Sequence, residues 1–386
     1  MNSFLRACLA AMFFVLAPAS AFAEEGHIDP ALIRAYFDRL GENGLSASVL
    51  VGEGDRVLLR KSYGLAAENP ETPMAPDTLV DIGSLAKQFT ATLILMEVEA
   101  GVLTLDDPVS EFFPDAPADK RDISIHQLLT HSSGLTEHSE DDFAPMTKAE
   151  ALHNIFASEL AFEPGSGFEY SNSGYTLLAA IIEAAAGENY TDLVRTKLWR
   201  ANGMRDTGFH GDTLLKKRAV ATGYVNGEAQ PSPVRDSPVQ WGVMGNGGVM
   251  STVGDMRKWM VRLASGKVLP REMLDKLWTP YVKRTESESY AYGWRVYDSP
   301  LGRGVWHGGT GSGGNADVAY FPDRELFSII LSNRTDLVVD PDTGQYLKIS
   351  LPAREARIAL TRAIAAGDPS IDPAITLDRS QPRNEQ

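Results

Sequence analysis

The chain has 386 residues, of which 36 are basic and 51 acidic, so its net charge is −15 with histidine neutral. An acidic chain without clusters of Lys and Arg is a poor candidate for binding nucleic acid or anionic membranes. With 43% hydrophobic and 23% charged residues, the composition is that of an ordinary globular protein. The length suits one large domain or two interleaved domains.

The first 23 residues have the pattern of a secretory signal peptide. Arg6 stands near the start, a short apolar core follows, and an Ala-x-Ala cleavage site occupies 21–23. The core is too short to span a bilayer, so we expect no stable membrane insertion after cleavage. The single cysteine, Cys8, lies in this segment, which leaves the mature chain without thiol chemistry. We therefore expect a periplasmic or secreted protein whose nucleophile, if any, is oxygen or nitrogen.

The remaining chain begins and ends in strands and is helical between them. Helical spacing over 29–40 is followed by two predicted strands that turn at 52–55. The middle contains apolar helices that end at glycines. Strands return after Tyr290, and a last helix over about 351–366 precedes a tail without apolar periodicity.

This order predicts an α/β (α+β) fold in which an antiparallel sheet is formed from both chain ends. Helices would flank the sheet, and a mostly helical domain would be inserted into it. We expect residues 24–83 and 280–366 to form the sheet domain, 84–279 the helical domain and 367–386 a flexible tail. The boundary between two such regions is a common place for a small-molecule site.

Ser84 and Lys87 stand one turn apart at the start of a long apolar run, where their side chains would share a helix face. A serine hydroxyl is a weak nucleophile until a neighbour accepts its proton. Burial lowers the pKa of a lysine and could make Lys87 that acceptor; alternatively, Lys87 stays charged and serves another base. A capping serine beside a solvent-reaching lysine is the non-functional alternative, which this loose motif alone does not exclude.

Tyr170 and Asn172 fall in the turn before a second apolar helix. The phenol could shuttle a proton and the amide could hold a substrate carbonyl. Alternatively, Asn172 simply caps the helix and Tyr170 packs in the core. The same spacing recurs at 224–226, where the following Gly227 indicates a hairpin turn instead.

His307, Gly308 and Gly309 follow a strand-like segment, and glycines there permit close approach of another backbone or of a ligand. Residues 309–314 also match the Gly-x-Gly-x-x-Gly dinucleotide pattern. A strand rather than a helix follows, so we reject a nucleotide site. The other histidines lack metal-ligand spacing and are interpreted as capping, surface or core residues. We expect neither a metal nor a cofactor.

The motifs SLAK at 84–87, YSN at 170–172 and HGG at 307–309 occur in one order. With them the sequence resembles penicillin-recognising serine hydrolases, in the branch of class C β-lactamases, D-alanyl-D-alanine carboxypeptidases, D-aminopeptidases and β-lactamase-like esterases. Segments such as GMRDTGF and GNGGVMSTVGDMRKWM extend the resemblance over nearly the whole mature chain. It implies a β-lactamase/transpeptidase-like fold and a small-molecule or peptide substrate.

The resemblance also implies roles for individual residues. Ser84 would be acylated, Lys87 and Tyr170 would activate it, and Tyr170 would then protonate the leaving group. Asn172 would position the acyl side chain. The backbone N–H groups of Ser84 and Thr310 would form the oxyanion hole. The implied catalytic residues are Ser84, Lys87, Tyr170 and His307, and the implied substrate-binding residues are Asn172, Gly308, Gly309 and Thr310.

One residue departs from the β-lactamase pattern. Class C β-lactamases usually have lysine where this chain has His307, and a histidine is mostly neutral at pH 7. We therefore predict an exported serine hydrolase that acts through a Ser84 acyl-enzyme on esters, amides or D-amino-acid peptides. The alternatives are a true class C-like β-lactamase and a non-catalytic binding protein with the penicillin-recognising fold.

Overall fold

The computed structural model describes residues 28–137, 144–233, 239–339, 346–349 and 353–373. The predicted signal peptide (1–23) lies outside these residues, as does the predicted tail beyond residue 373. Within the described ranges, no helix is both long enough and apolar enough to cross a membrane.

An eight-stranded antiparallel sheet contains strands from both ends of the chain. The strands of the protein, in chain order, are β1 (Ala47–Glu53), β2 (Arg56–Tyr63), β3 (Leu65–Glu68), β4 (Glu71–Pro73), β5 (Val80–Asp81), β6 (Gly208–Phe209), β7 (Tyr224–Val225), β8 (Glu228–Ala229), β9 (Val249–Ser251), β10 (Val282–Lys283), β11 (Glu288–Tyr290), β12 (Arg295–Ser299), β13 (Gly302–Thr310), β14 (Asn315–Phe321), β15 (Leu326–Ser332), β16 (Arg334–Val339) and β17 (Tyr346–Ile349). The large sheet has the order β10-β11-β12-β13-β14-β15-β1-β2.

The pairing of β1 with β15 joins the two ends of the chain, with Ala47 opposite Ser332. Residues 54–55 form the turn that connects β1 to β2, which confirms the predicted hairpin. A separate small sheet has the order β5-β9-β6 and carries the segment that leads into Ser84. The predicted antiparallel sheet from both chain ends is confirmed.

Helices cover both faces of the large sheet. They are α1 (Pro30–Glu42), α2 (Lys87–Glu99), α3 (Val109–Phe112), α4 (Ile125–Leu129), α5 (Lys148–Ala157), α6 (Asn172–Ala186), α7 (Tyr190–Leu193), α8 (Val253–Ala264), α9 (Arg271–Leu277) and α10 (Ala353–Ala366). Because side chains alternate along a strand, Val49 and Val51 pack with α1 and α10, whereas Leu50 belongs to the core that contains α2 and α8. The predicted flanking helices are thus present.

The ends of the helices follow their sequence signals. Ser124 and Gln127 form a capping box at the start of α4, each bonding to the backbone of the other. Gly187 ends α6 in the left-handed conformation, with φ of 68°. Tyr224 and Val225 pair with β8 across a turn at Asn226 and Gly227, as expected for a hairpin.

The start of α2 differs from the prediction. Ser84 lies in a 3₁₀ turn, Gly83–Ala86, and the α-helix begins at Lys87. Gly83 has φ of +48°, and a Cβ atom there would overlap the backbone of Thr310. The left-handed glycine therefore lets the chain enter the helix while pressed against the end of β13.

Candidate active site

Ser84 and Lys87 form the centre of the site. Lys87 Nζ lies 3.1 Å from Ser84 Oγ and donates a hydrogen bond to it. The lysine is fully buried, whereas Ser84 is partly exposed at the start of the helix. The 3₁₀ turn followed by α2 keeps the two side chains on one face, as the spacing predicts. A solvent-reaching lysine is therefore excluded.

Lys87 has two further hydrogen-bond partners. Its Nζ atom is 2.6 Å from Asn172 Oδ1 and 3.2 Å from the carbonyl oxygen of Asn246. Both are obligate acceptors, and the hydroxyl of Ser84 can donate or accept. A charged lysine can therefore donate to all three oxygens. A neutral lysine can donate to the two acceptors and offer its lone pair to the serine, so the pocket satisfies both protonation states.

Tyr170 and Asn172 are brought to the lysine by the segment that leads into α6. The Tyr170 ring centre is 4.8 Å from Lys87 Nζ, within the range of a cation–π contact. Ser171, not Asn172, is the N-cap of α6, because its hydroxyl accepts the N–H of Gly174 at 2.9 Å. The alternative in which Asn172 merely caps the helix is wrong.

His307 lies on β13 beside Tyr170, with 6.3 Å between the ring centres. The imidazole is buried, and both nitrogens contact the protein: Nδ1 lies 2.6 Å from the Gly308 carbonyl oxygen and Nε2 lies 3.0 Å from the Tyr290 hydroxyl. A carbonyl only accepts, so Nδ1–H donates to Gly308, whereas the Tyr290 hydroxyl can donate to Nε2 or accept from it. A neutral ring fits both contacts when Tyr290 donates to Nε2.

The electrostatics around His307 agree with this assignment. Burial, followed by the positive charges of Arg295 and Lys87, holds the pKa of His307 well below its usual range. Arg295 lies 3.6 Å from the Glu288 carboxylate, which also pairs with Arg284 and accepts the Trp306 indole N–H at 2.9 Å. Positive charge near the imidazole thus comes from arginines that face a carboxylate.

The end of β13 packs directly against the segment before Ser84. A Cβ atom on Gly309 would overlap the Ile82 carbonyl oxygen and lie 2.9 Å from Ser84 N. Likewise, a Cβ atom on Gly83 would lie 2.6 Å from Thr310 N. The glycines therefore serve close backbone approach, and the amide nitrogens of Ser84 and Thr310 lie in neighbouring segments.

Some residues of the site were missed by the sequence reasoning. Asn246 fixes its loop by donating from Nδ2 to Thr176 Oγ1 and to the Gly242 carbonyl, which places its own carbonyl against Lys87. His131 is buried, and its Nδ1 accepts the N–H of Ser171 at 3.0 Å. No local spacing in the sequence distinguishes either residue from a structural one.

The structure thus brings these residues together from α2, the start of α6 and the end of β13. The sequence matches the family model described as Beta-lactamase over residues 33–350, and the chain belongs to this family. It is 29% identical over 325 residues to penicillin-binding protein 4* of Bacillus subtilis (strain 168), covering 79% of this chain and 72% of the relative.

Two other comparisons agree. The chain is 25% identical over 334 residues to the D-alanyl-D-alanine-carboxypeptidase/endopeptidase AmpH of Escherichia coli (strain K12), covering 79% of this chain and 84% of the relative. The structure resembles that of the octameric penicillin-binding protein homologue from Pyrococcus abyssi, with a TM-score of 0.74 and 26% identity over 89% of this chain and 79% of the other. The protein is a serine hydrolase of this family.

Proposed function

We propose that this protein is an exported hydrolase that forms an acyl-enzyme on Ser84 and acts on esters, amides or D-amino-acid peptides. The observation that carries the proposal is the 3.1 Å contact between Lys87 Nζ and Ser84 Oγ in a pocket that satisfies either protonation state of the lysine. Relatives named as peptidases make a small acyl or peptide substrate the natural class.

Acylation begins with neutral Lys87. Its two N–H groups donate to Asn172 Oδ1 and the Asn246 carbonyl, so its lone pair faces Ser84. The serine proton moves to this lone pair as Ser84 Oγ bonds to the substrate carbonyl carbon, whose π electrons move to oxygen. Lys87 becomes an ammonium that donates to all three neighbours, so the proton transfer requires no rearrangement of the pocket.

The negative oxygen of the tetrahedral intermediate would be stabilised by the N–H groups of Ser84 and Thr310. One such donor typically contributes about 3 kcal/mol to the transition state. The glycines at 83 and 309 allow the two segments that carry these donors to touch. A side chain at either position would push the donors apart.

Tyr170 would complete the proton transfer. As the intermediate collapses, the bond to the leaving group breaks and the leaving group takes a proton from the Tyr170 hydroxyl, which Lys87 replenishes. Water then attacks the acyl carbon and gives its proton to the lysine. Ser84 Oγ departs with that proton, which restores the starting state. The Tyr170 ring borders the lysine pocket, with its centre 4.8 Å from Lys87 Nζ.

The substrate class follows from His307. A fixed cation at this position would attract the carboxylate of a β-lactam, but burial and the positive charges of Arg295 and Lys87 hold the pKa of His307 well below its usual range and favour the neutral ring. We therefore place esters, amides and D-amino-acid peptides before β-lactams. In this proposal the signal peptide (1–23) exports the chain, and the site lies between a sheet domain (24–83 and 280–366) and a helical domain (84–279).

Labelling with a fluorophosphonate tests the proposal. We expect a single adduct on Ser84 that disappears in Ser84→Ala but persists in Ser328→Ala, which removes a buried hydroxyl on β15. The substrates to compare are short p-nitrophenyl esters, D-amino-acid p-nitroanilides, a D-alanyl-D-alanine peptide and nitrocefin. Folded protein without labelling would overturn the proposal, and labelling without turnover of any substrate would make the protein a binder.

A further inference from the structure

A buried aspartate–histidine pair connects three segments of the chain behind the site. Asp81, at the end of β5, and His210, just after β6, have side chains that are 3% and 4% exposed, with Oδ2 and Nε2 3.1 Å apart. Asp81 also accepts two backbone N–H groups, from Gly83 at 2.9 Å and from Ser312 at 3.0 Å. One carboxylate thus holds the segment before Ser84, the segment after β13 and a histidine from the helical region.

The glycine-rich segment after His307 is shaped around this carboxylate. A Cβ atom on Gly311 would overlap the Asp81 side chain, and one on Gly314 would overlap the Asp81 carbonyl oxygen. The segment that matched a dinucleotide pattern therefore encloses an aspartate. The contact with Asp81 explains why positions 311 and 314 are glycine, and no bound ligand is needed to explain them.

The two amides bonded to Asp81 flank the predicted oxyanion-hole donors. Gly83 immediately precedes Ser84, and Ser312 follows Thr310 by two residues. Because both segments end on the same carboxylate, the separation between the Ser84 and Thr310 amides depends on the position of Asp81. A shift of a few tenths of an ångström there would be transmitted directly to the hole.

The charge of the pair matters as well as its geometry. Burial raises the pKa of Asp81, but the charge and hydrogen bond of His210 and the two backbone N–H groups outweigh it and leave the pKa below its usual value. An uncompensated carboxylate this close to a developing oxyanion would oppose the reaction. His210 Nε2 faces that carboxylate directly, 3.1 Å from Asp81 Oδ2.

We propose that Asp81 and His210 are a positioning pair that fixes the spacing of the two oxyanion-hole amides. The inference rests on the acyl-enzyme function proposed above. Neither residue touches the substrate; both act through Ser84 and Thr310. The pair requires a carboxylate at position 81. The sequence motifs alone assign only glycines to this region.

The test compares Asp81→Asn and His210→Gln with the wild-type protein. The readouts are kcat and KM for a p-nitrophenyl ester and inhibition by phenylboronic acid, whose tetrahedral adduct on Ser84 places an oxygen in the hole. We expect kcat to fall on the order of tenfold to a hundredfold in Asp81→Asn, below the loss typical for deleting one donor. KM should change less than threefold, and boronate inhibition should weaken in parallel with kcat/KM.

Asp255→Asn is the matched control. Asp255 is also buried, accepts a backbone N–H from Asp206 and pairs with Lys258, but in α8. The Asp255→Asn variant should be less stable than the wild type, but its kcat and its inhibition by phenylboronic acid should be unchanged. Each kcat is calculated per fluorophosphonate-reactive Ser84, so a partly unfolded sample does not lower the measured value. If Asp81→Asn fails to fold, His210→Gln decides, with an expected fall of at least threefold in kcat.

The outcomes separate the two proposals. Wild-type protein whose Ser84 is not labelled would overturn the acyl-enzyme function and this inference with it. Wild-type protein that is labelled and active, beside folded variants that keep wild-type kcat and boronate inhibition, would overturn the positioning pair alone. Equal losses in the Asp81 and Asp255 variants would reduce the pair to a general stabilising contact.

Discussion

The hydroxyl of Tyr290 lies 3.0 Å from His307 Nε2 and fixes the imidazole from the side opposite its contact with the Gly308 carbonyl. Both nitrogens of the ring are therefore occupied inside the protein. Protonation of Nε2 would place a cation in a buried site beside Lys87 and Arg295, which together with burial already lower the pKa of His307. The histidine in the third motif therefore acts as a neutral, fixed group.

This arrangement predicts that stability falls in acid. The pKa of His307 is lowered in the folded protein, whereas in the unfolded chain it is about 6.5. As the pH decreases below about 6.5, the unfolded chain binds a proton that the folded protein does not, so unfolding is favoured. The slope is about 1.4 kcal/mol per pH unit for each such histidine. Urea unfolding at pH 5, 6 and 7 measures it.

The variant His307→Asn isolates this contribution. It removes one titrating group, while His131, whose pKa is also lowered well below its usual range by burial and then by Lys87, remains in both proteins. We expect the free energy of unfolding of the variant to depend less steeply on pH by up to about 1.4 kcal/mol per unit. Identical slopes in both proteins would show that His307 is protonated in the fold.

The parts of the site set by local structure could be predicted from the sequence. Ser84 and Lys87 stand three residues apart at the start of a helix, and this spacing alone places them on one face. Ser171 caps α6 and thereby sets the direction of Tyr170 and Asn172. The antiparallel sheet followed from alternating segments at both chain ends.

The parts set by long-range packing could not be predicted in this way. The contact between Lys87 and the Asn246 carbonyl joins residues 159 positions apart, and that between Asp81 and His210 joins residues 129 apart. Neither pair leaves a periodic pattern, because each depends on how two separate elements dock. The 3₁₀ turn at Ser84 was missed for the same reason, since it depends on the contact of Gly83 with Thr310.

Two neighbouring glycines in the third motif should tolerate substitution very differently. In Gly309→Ala the new methyl group would overlap the Ile82 carbonyl oxygen, whereas in Gly308→Ala it would meet its nearest neighbours at 3.5 Å. We expect Gly309→Ala to lose about 1–3 kcal/mol of stability through overpacking. Gly308→Ala should stay within about 1 kcal/mol of the wild type.

Urea unfolding of both variants checks this prediction. Activity should also fall in Gly309→Ala, because the methyl group displaces the end of β13 from Ser84 N. A displaced donor is expected to lower kcat by up to about a hundredfold. Equal stabilities of the two alanine variants would contradict the close packing of β13 against residues 82–84.

Asn172→Asp should reduce activity at neutral pH. The new carboxylate would replace a neutral acceptor 2.6 Å from Lys87 Nζ and stabilise the ammonium form, which cannot accept the Ser84 proton. We expect kcat/KM at pH 7 to fall on the order of tenfold to a hundredfold, with activity recovering as the pH rises. The measurement is the pH–rate profile for hydrolysis of a p-nitrophenyl ester, which should move to higher pH in the variant.

A buried asparagine elsewhere provides the control for this charge. Asn202 donates to the Leu198 carbonyl and accepts from Arg262, in the region of α8 rather than beside Lys87. We therefore expect Asn202→Asp to have the same pH–rate profile as the wild-type protein. If the pH–rate profile moved equally in both variants, the movement would reflect general destabilisation and not the charge state of Lys87.

Lys87→Met should abolish acylation while keeping a side chain of similar length. Without an amine, nothing accepts the Ser84 proton, and Asn172 Oδ1 and the Asn246 carbonyl lose a donor. Since removal of the base that activates a nucleophile costs several powers of ten, we expect fluorophosphonate labelling to slow by at least about a thousandfold.

Lys120→Met is the matched variant for this comparison. Lys120 is also buried but pairs with Asp119. Its replacement removes a buried ammonium and should reduce stability while labelling of Ser84 continues at the wild-type rate. If Lys87→Met were labelled as fast as Lys120→Met, Lys87 would be a structural lysine and the proton acceptor would have to be Tyr170.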